Sequence, residues 1–246
     1  MVLNAKQPLV FLPGLLSDCS IWSYQCRALA DIAECSSIEW GTENSLQTMA
    51  QTALRKAPER FSLAGHSMGG RVALEVYQLA PHRVERMALL NTGYQALASG
   101  PAGEQEKRDR YALLEMARTQ GMHAMARKWL VAMIDPARRE DASLADVIAE
   151  MFGRKTTEIF AAQIQALLER RDRSELLGQI RLPTLLITGR EDAWSPPARH
   201  ADMAAKIPQS KLVVIPNCGH MSPLERPAEL AEALRSWLLQ PSLVLQ

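Results

Sequence analysis

Cysteine is scarce: Cys19, Cys26, Cys35 and Cys218 are the only four in 246 residues, and no two form a C-x-x-C pair. That excludes a disulfide-dense scaffold and leaves reduced, mostly structural thiols as the expectation. Excess charge is missing too, with 28 Lys+Arg against 27 Asp+Glu. No generic basic surface for nucleic acid or anionic membrane is therefore expected. No apolar run approaches the roughly 20 residues that span a bilayer. Neither the metal spacing H-E-x-x-H nor the nucleotide turn G-x-G-x-x-G occurs, so no metal or cofactor is expected. Pro8–Leu16 followed by Ser17-Asp18-Cys19 imitates a lipoprotein signal. Pro13-Gly14 breaks that run, however, and Asp18 sits where cleavage needs a small uncharged residue. What remains is a cytoplasmic globular protein, with 47% hydrophobic and 22% charged residues.

Short apolar runs alternate with longer amphipathic stretches. Leu9–Leu12, Phe61–Ala64, Met87–Leu90, Leu185–Thr188 and Leu212–Ile215 each stop at Gly, Pro or Asn, as strands buried on both faces of a parallel sheet do. Helical spacing follows Gly70 as far as Pro81, covers Ser45–Lys56, starts again near Pro197 and runs from Pro227 to about Leu239. This rhythm predicts an α/β chain with a doubly wound, mostly parallel sheet. Between Tyr94 and Ile180 the strands cease. Gln105–Thr119, His123–Ile134, Ser143–Met151 and Thr156–Arg171 read there as helices. The expected organisation is a core of residues 1–93 plus 180–246, with residues 94–179 inserted as an all-helical cap over the carboxyl edge of the sheet.

The chemistry concentrates in Gly65-His66-Ser67-Met68-Gly69-Gly70, a G-x-S-x-G pattern between a predicted strand and a predicted helix. A serine on such a tight turn is lifted above the sheet at the positive end of a helix, and larger side chains at Gly65 and Gly69 would collide with neighbouring elements. The rival phosphate-loop reading fails, because Arg71-Val72 stand where lysine and a hydroxyl are required. A serine hydroxyl needs a base, and the base an orienting carboxylate. Of five histidines, only His220 follows a buried strand in a loop aimed over the sheet edge, in Asn217-Cys218-Gly219-His220. The acid comes from Gly189-Arg190-Glu191-Asp192; Asp192 is favoured for its shorter side chain, with Glu191 the alternative. The backbone N–H groups of Met68 and Leu15, the latter beside Pro13-Gly14, are the expected oxyanion donors.

The G-x-S-x-G turn, the Gly-Arg-Glu-Asp strand exit, the Cys-Gly-His loop and the helical cap together resemble the α/β-hydrolase superfamily, in particular its small esterase, lipase and lactonase-like members. The resemblance implies Ser67 as nucleophile, Asp192 as acid, His220 as base, and Leu15 with Met68 as the oxyanion hole. It also implies a serine hydrolase acting on a small-molecule ester, thioester or lactone. An acyltransferase, a carbon–carbon bond hydrolase or a ligand receptor with vestigial hydrolysis would use the same fold. The chain departs from the family pattern at Pro13-Gly14, where His-Gly is usual, and at Trp40–Ser45, where a longer glycine-rich turn is usual. Only eight residues precede the first strand, too few for the leading hairpin usual in the family, so a sheet of about six strands is expected. Trp22, Tyr94, Trp129 and Trp194, with Leu15, Met116, Met122, Met125 and Met133, are the candidate pocket walls. Cap charges such as Arg108, Arg110 and Lys128 read as solvated.

Overall fold

A computed structural model of the protein describes residues 6–240; the tail Pro241–Gln246, to which the sequence assigns no role, lies outside them. Six strands form one sheet in the order β2-β1-β3-β4-β5-β6, and every neighbouring pair is parallel. They are β1 (Gln7–Leu12), β2 (Ala33–Ser37), β3 (Phe61–His66), β4 (Val84–Leu90), β5 (Thr184–Gly189) and β6 (Ser210–Ile215). The apolar runs account for five of them, and every residue of β3 and β5 is buried. The sixth, β2, is the edge strand Ala-Glu-Cys-Ser-Ser, which alternates buried and exposed residues and carries no apolar run.

The crossovers are helical. They include α1 (Ser23–Ala28), α2 (Leu46–Lys56), α3 (Met68–Leu79) and α9 (Pro197–Lys206), and the chain closes with α10 (Ser222–Glu225) and α11 (Pro227–Leu238). Ser45 caps α2 by accepting the Thr48 N–H at 3.1 Å. Between β4 and β5 lie α4 (Pro101–Gln120), α5 (Met122–Leu130), α6 (Ala142–Gly153), α7 (Thr157–Leu168) and α8 (Ser174–Leu177), with no strand among the described residues of that stretch. In this insertion α5 packs on α6, and α4 on both α5 and α7. The expected helix His123–Ile134 stops at Leu130, because the following residues turn to bond the loop that carries His220. Among the described residues no helix is long and apolar enough to cross a membrane.

Parallel pairing of β1 with β3 and of β3 with β4 brings the exits of these strands side by side at one edge. The turn leaving β3 fits there only with glycine. A β-carbon on Gly65 would sit 2.3 Å from the Gly69 carbonyl oxygen, and one on Gly69 would sit 2.1 Å from the Leu12 carbonyl oxygen. Both clashes are with backbone, which cannot swing aside. Gly69→Ala should therefore lower the unfolding free energy by about 1–3 kcal/mol, as for other overpacked sites. Urea titration checks this, and an unchanged midpoint would contradict the packing described.

Candidate active site

Ser67 follows β3 with φ 54° and ψ −115°, a conformation that L-residues hold only when their surroundings impose it. Two bonds impose it here. The Ser67 N–H donates to the Leu90 carbonyl at 2.8 Å, and the Thr92 hydroxyl donates to the Ser67 carbonyl at 2.6 Å. Helix α3 begins at the next residue, so the Met68 N–H has no acceptor within the helix. The Pro13-Gly14 loop presses on this turn: a β-carbon on Gly14 would lie 3.2 Å from the Ser67 Cβ. In that loop the Leu15 N–H has no partner among the described residues, while the Leu16 N–H donates to the Gln163 side chain of α7 at 2.9 Å.

The structure brings Ser67, Asp192 and His220 into one hydrogen-bonded line. His220 Nε2 lies 2.9 Å from the Ser67 hydroxyl, and His220 Nδ1 lies 3.0 and 3.1 Å from the two Asp192 oxygens. Asp192 is 2% exposed, so its charge needs partners. It accepts the N–H groups of Trp194 and Ser195, each at 2.9 Å, and the Asn91 amide at 2.9 Å. Burial works against the charged form, but His220 and these donors hold the Asp192 carboxyl well below the usual carboxylate range. Glu191, the alternative acid, does not reach the imidazole; its carboxylate accepts the Cys218 N–H at 2.8 Å.

Several residues that support this line carried no signal in the sequence. Asn91, at φ 47°, reads only as a strand terminator, yet its amide also donates to the Gly219 carbonyl and its oxygen accepts the Ser222 hydroxyl at 2.5 Å. Glu225 is 3% exposed and accepts the N–H groups of Gly219, Met221 and Asp135. Burial raises its carboxyl above the usual range, against the pull of those donors. The His220 N–H in turn donates to the Met133 carbonyl at 2.6 Å, so the base loop is fastened to the chain leaving α5. His66 turns away from the serine, as expected, and its Nε2–H donates to the His220 carbonyl at 2.8 Å. His200 is packed within α9 and accepts the Thr92 N–H at 3.2 Å.

Of the four tryptophan and tyrosine candidates, two converge on His220. The Trp194 ring lies 5.0 Å from the His220 ring, and Trp129 lies 5.3 Å from Trp194, backed by Phe152 and Phe160. The other two correct the sequence reading. Trp22 has no exposed surface and stacks on Phe11 at 4.5 Å beneath His66, because an indole on the short segment after β1 fills the core. Tyr94 is 3% exposed and its hydroxyl donates to the Asp202 carboxylate of α9. Met125 and Met133 are core residues, whereas Met116 and Met122 are half-buried. Arg110 is not a freely solvated charge either, since it pairs with Glu106 at 2.8 Å. Asp18 and Glu39 gather near Cys19, but they pair with Arg154 and Lys155.

Burial lowers His66 to about 3 and His200 to about 4. Both are neutral in the folded chain where an unfolded histidine, with a pKa near 6.5, already takes up a proton. The unfolded state then binds more protons, so stability rises with pH through this window and is lost as pH falls from about 6.5 toward 4. Urea unfolding at pH 7 and pH 4.5 should differ by about 2 kcal/mol for each histidine. A flat profile would contradict the buried, neutral assignment.

Residues 9–233 match the Alpha/beta hydrolase family. A pimeloyl-(acyl-carrier protein) methyl ester esterase of Nitrosomonas europaea is 27% identical over 191 residues, covering 76% of this chain and 74% of that protein. The structure of a thermophilic esterase from Thermogutta terrifontis superposes with a TM-score of 0.81 at 27% identity, covering 95% of this chain and 90% of that one. An enol-lactonase from Burkholderia xenovorans LB400 shares the fold, with a TM-score of 0.82 at 21% identity over 97% of this chain and 93% of that one. With residues 9–233, nearly the whole chain, matched, this protein belongs to the Alpha/beta hydrolase family.

Proposed function

We propose that the protein is a serine hydrolase that cleaves a carboxylic ester, thioester or lactone of a small molecule through an acyl-enzyme on Ser67. The observation that carries this reading is the continuous line from the Ser67 hydroxyl through His220 to Asp192. In the mechanism, His220 Nε2 takes the Ser67 proton as the hydroxyl oxygen attacks the carbonyl carbon. Asp192 fixes the Nδ1–H tautomer and stabilises the imidazolium that forms. The oxyanion that develops is met by the N–H groups of Leu15 and Met68, which have no competing acceptor among the described residues. His220 then returns the proton to the leaving alcohol or thiol. It next activates a water whose oxygen attacks the acyl carbon and releases the acid from Ser67.

The helices α4–α8 serve as a cap in this reading, and Trp129 with Trp194 forms the apolar wall beside the reacting carbonyl. The ester-cleaving relatives at 27% identity, one known in sequence and one in structure, support the same class of reaction. Hydrolysis of p-nitrophenyl acetate or butyrate tests it. Ser67→Ala should lower kcat by about 10⁴-fold or more with the fold intact by circular dichroism. Activity that survives this change would remove Ser67 from the nucleophile role. Asp192→Asn should lower kcat by about 10⁴-fold through the wrong imidazole tautomer; a loss below tenfold would remove Asp192 as the acid.

A further inference from the structure

Four arginines gather beside the nucleophile turn with a single carboxylate among them. Arg71 lies four residues beyond Ser67, about 6 Å along the helix axis, and its N–H shares the Ser67 carbonyl at 3.3 Å. Arg199 comes from the first turn of α9 and donates to the Trp194 carbonyl at 2.7 Å, just behind the ring that lies against His220. The two guanidinium groups meet at Gly93, where a β-carbon would lie 2.9 Å from Arg71 Nη2 and 3.6 Å from Arg199 Nη1. Arg110 and Arg170 stand nearby and share the one carboxylate of Glu106, each at 2.8 Å. Even so, the Arg170 Nε has no partner, on a side chain only 7% exposed.

Neither Arg71 nor Arg199 has a carboxylate in ion-pair range among the described residues. The side-chain bond of Arg71 goes to the Gln95 carbonyl at 2.8 Å. Among the described residues its Nη2 and Nε have no hydrogen-bond partner, and they are not sealed from solvent. The acids around it are engaged elsewhere: Glu75 with Arg173, and Asp202 with Lys206 and Tyr94. Burial, reinforced by Arg170 and Arg199, lowers Arg71 to about 9, and Glu106 only partly offsets this. Partly desolvated guanidinium groups without a counter-charge are costly, and that cost falls when an anion enters. Arginine forks suit the planar or tetrahedral oxygens of carboxylate and phosphate.

We propose that Arg71 and Arg199 form an anion subsite that holds a carboxylate or phosphate borne by the substrate, so that the preferred substrates are acidic esters. This rests on the hydrolase reading and narrows its substrate class. The test compares mono-p-nitrophenyl glutarate with p-nitrophenyl valerate, which have equal acyl length and differ in the terminal carboxylate. The ratio of kcat/KM for the acidic over the neutral ester should fall 10- to 100-fold in Arg71→Ala and in Arg199→Ala, mainly through KM. Arg71→Lys keeps the charge but loses the fork, and covers the case in which the alanine variant does not fold; its ratio should fall about tenfold. A ratio within twofold of the wild type in the folded variants would overturn the subsite.

Failure of the wild-type protein to cleave either ester would count against the hydrolase reading instead. The subsite is then decided by calorimetric titration of the wild type and the Arg71 variants with glutarate and, separately, with inorganic phosphate. Binding that is lost in the variants supports the subsite, and the anion that binds assigns its class. Absence of binding by both anions overturns it.

Discussion

In the proposed mechanism His220 relays a proton, which an imidazole does in one direction only if each of its nitrogens is committed to a different neighbour, and the architecture of this chain meets that requirement. Nδ1 faces a buried carboxylate and Nε2 faces a strained hydroxyl. The carboxylate could not stay charged at 2% exposure without Asn91 and two backbone donors. The hydroxyl could not keep its positive φ without Thr92 and Leu90 beneath it. Three strand exits supply these groups, and the parallel pairing of β3, β4 and β5 lays those exits side by side.

The helical insertion is bonded into this arrangement rather than laid over it. Gln163 of α7 receives the Leu16 N–H of the loop that also offers Leu15. The Met133 carbonyl receives the His220 N–H, and Glu225 gathers the N–H groups of Asp135, Gly219 and Met221. Gly219 has room for no side chain here, since a β-carbon would lie 2.5 Å from the Met133 oxygen. Moving the insertion would therefore disturb both the loop that carries His220 and the loop that carries Leu15. The neutral histidines His66 and His200 fill the gaps with bonds that add no charge near the Asp192 carboxylate.

Much of this was legible from residue pattern. Buried parallel strands are apolar on both faces, so five of them stand out as runs, and the serine turn shows in its glycines because only glycine fits against the Leu12 carbonyl. The edge strand β2 escaped notice because a half-exposed strand needs no apolar run. Asn91, Gln163 and Glu225 escaped for a different reason. Their partners are backbone groups or single side chains distant in sequence, and such partners impose no spacing on the chain. Trp22 was misjudged as a pocket wall because composition cannot tell a tryptophan under the sheet edge from one above it; its stacking on Phe11 settles the matter. The arginines of the insertion read as solvated surface, since their convergence with Arg71 and Arg199 exists only in three dimensions.

The claim on which the account stands is that Ser67 is a nucleophile poised by His220. Treatment with a fluorophosphonate, followed by peptide mass analysis, addresses it without requiring the natural substrate. The account predicts a single phosphonyl adduct on the peptide bearing Ser67, formed rapidly in the wild type and only slowly in His220→Ala. An unlabelled Ser67, or labelling at equal rate after His220 is removed, would contradict it.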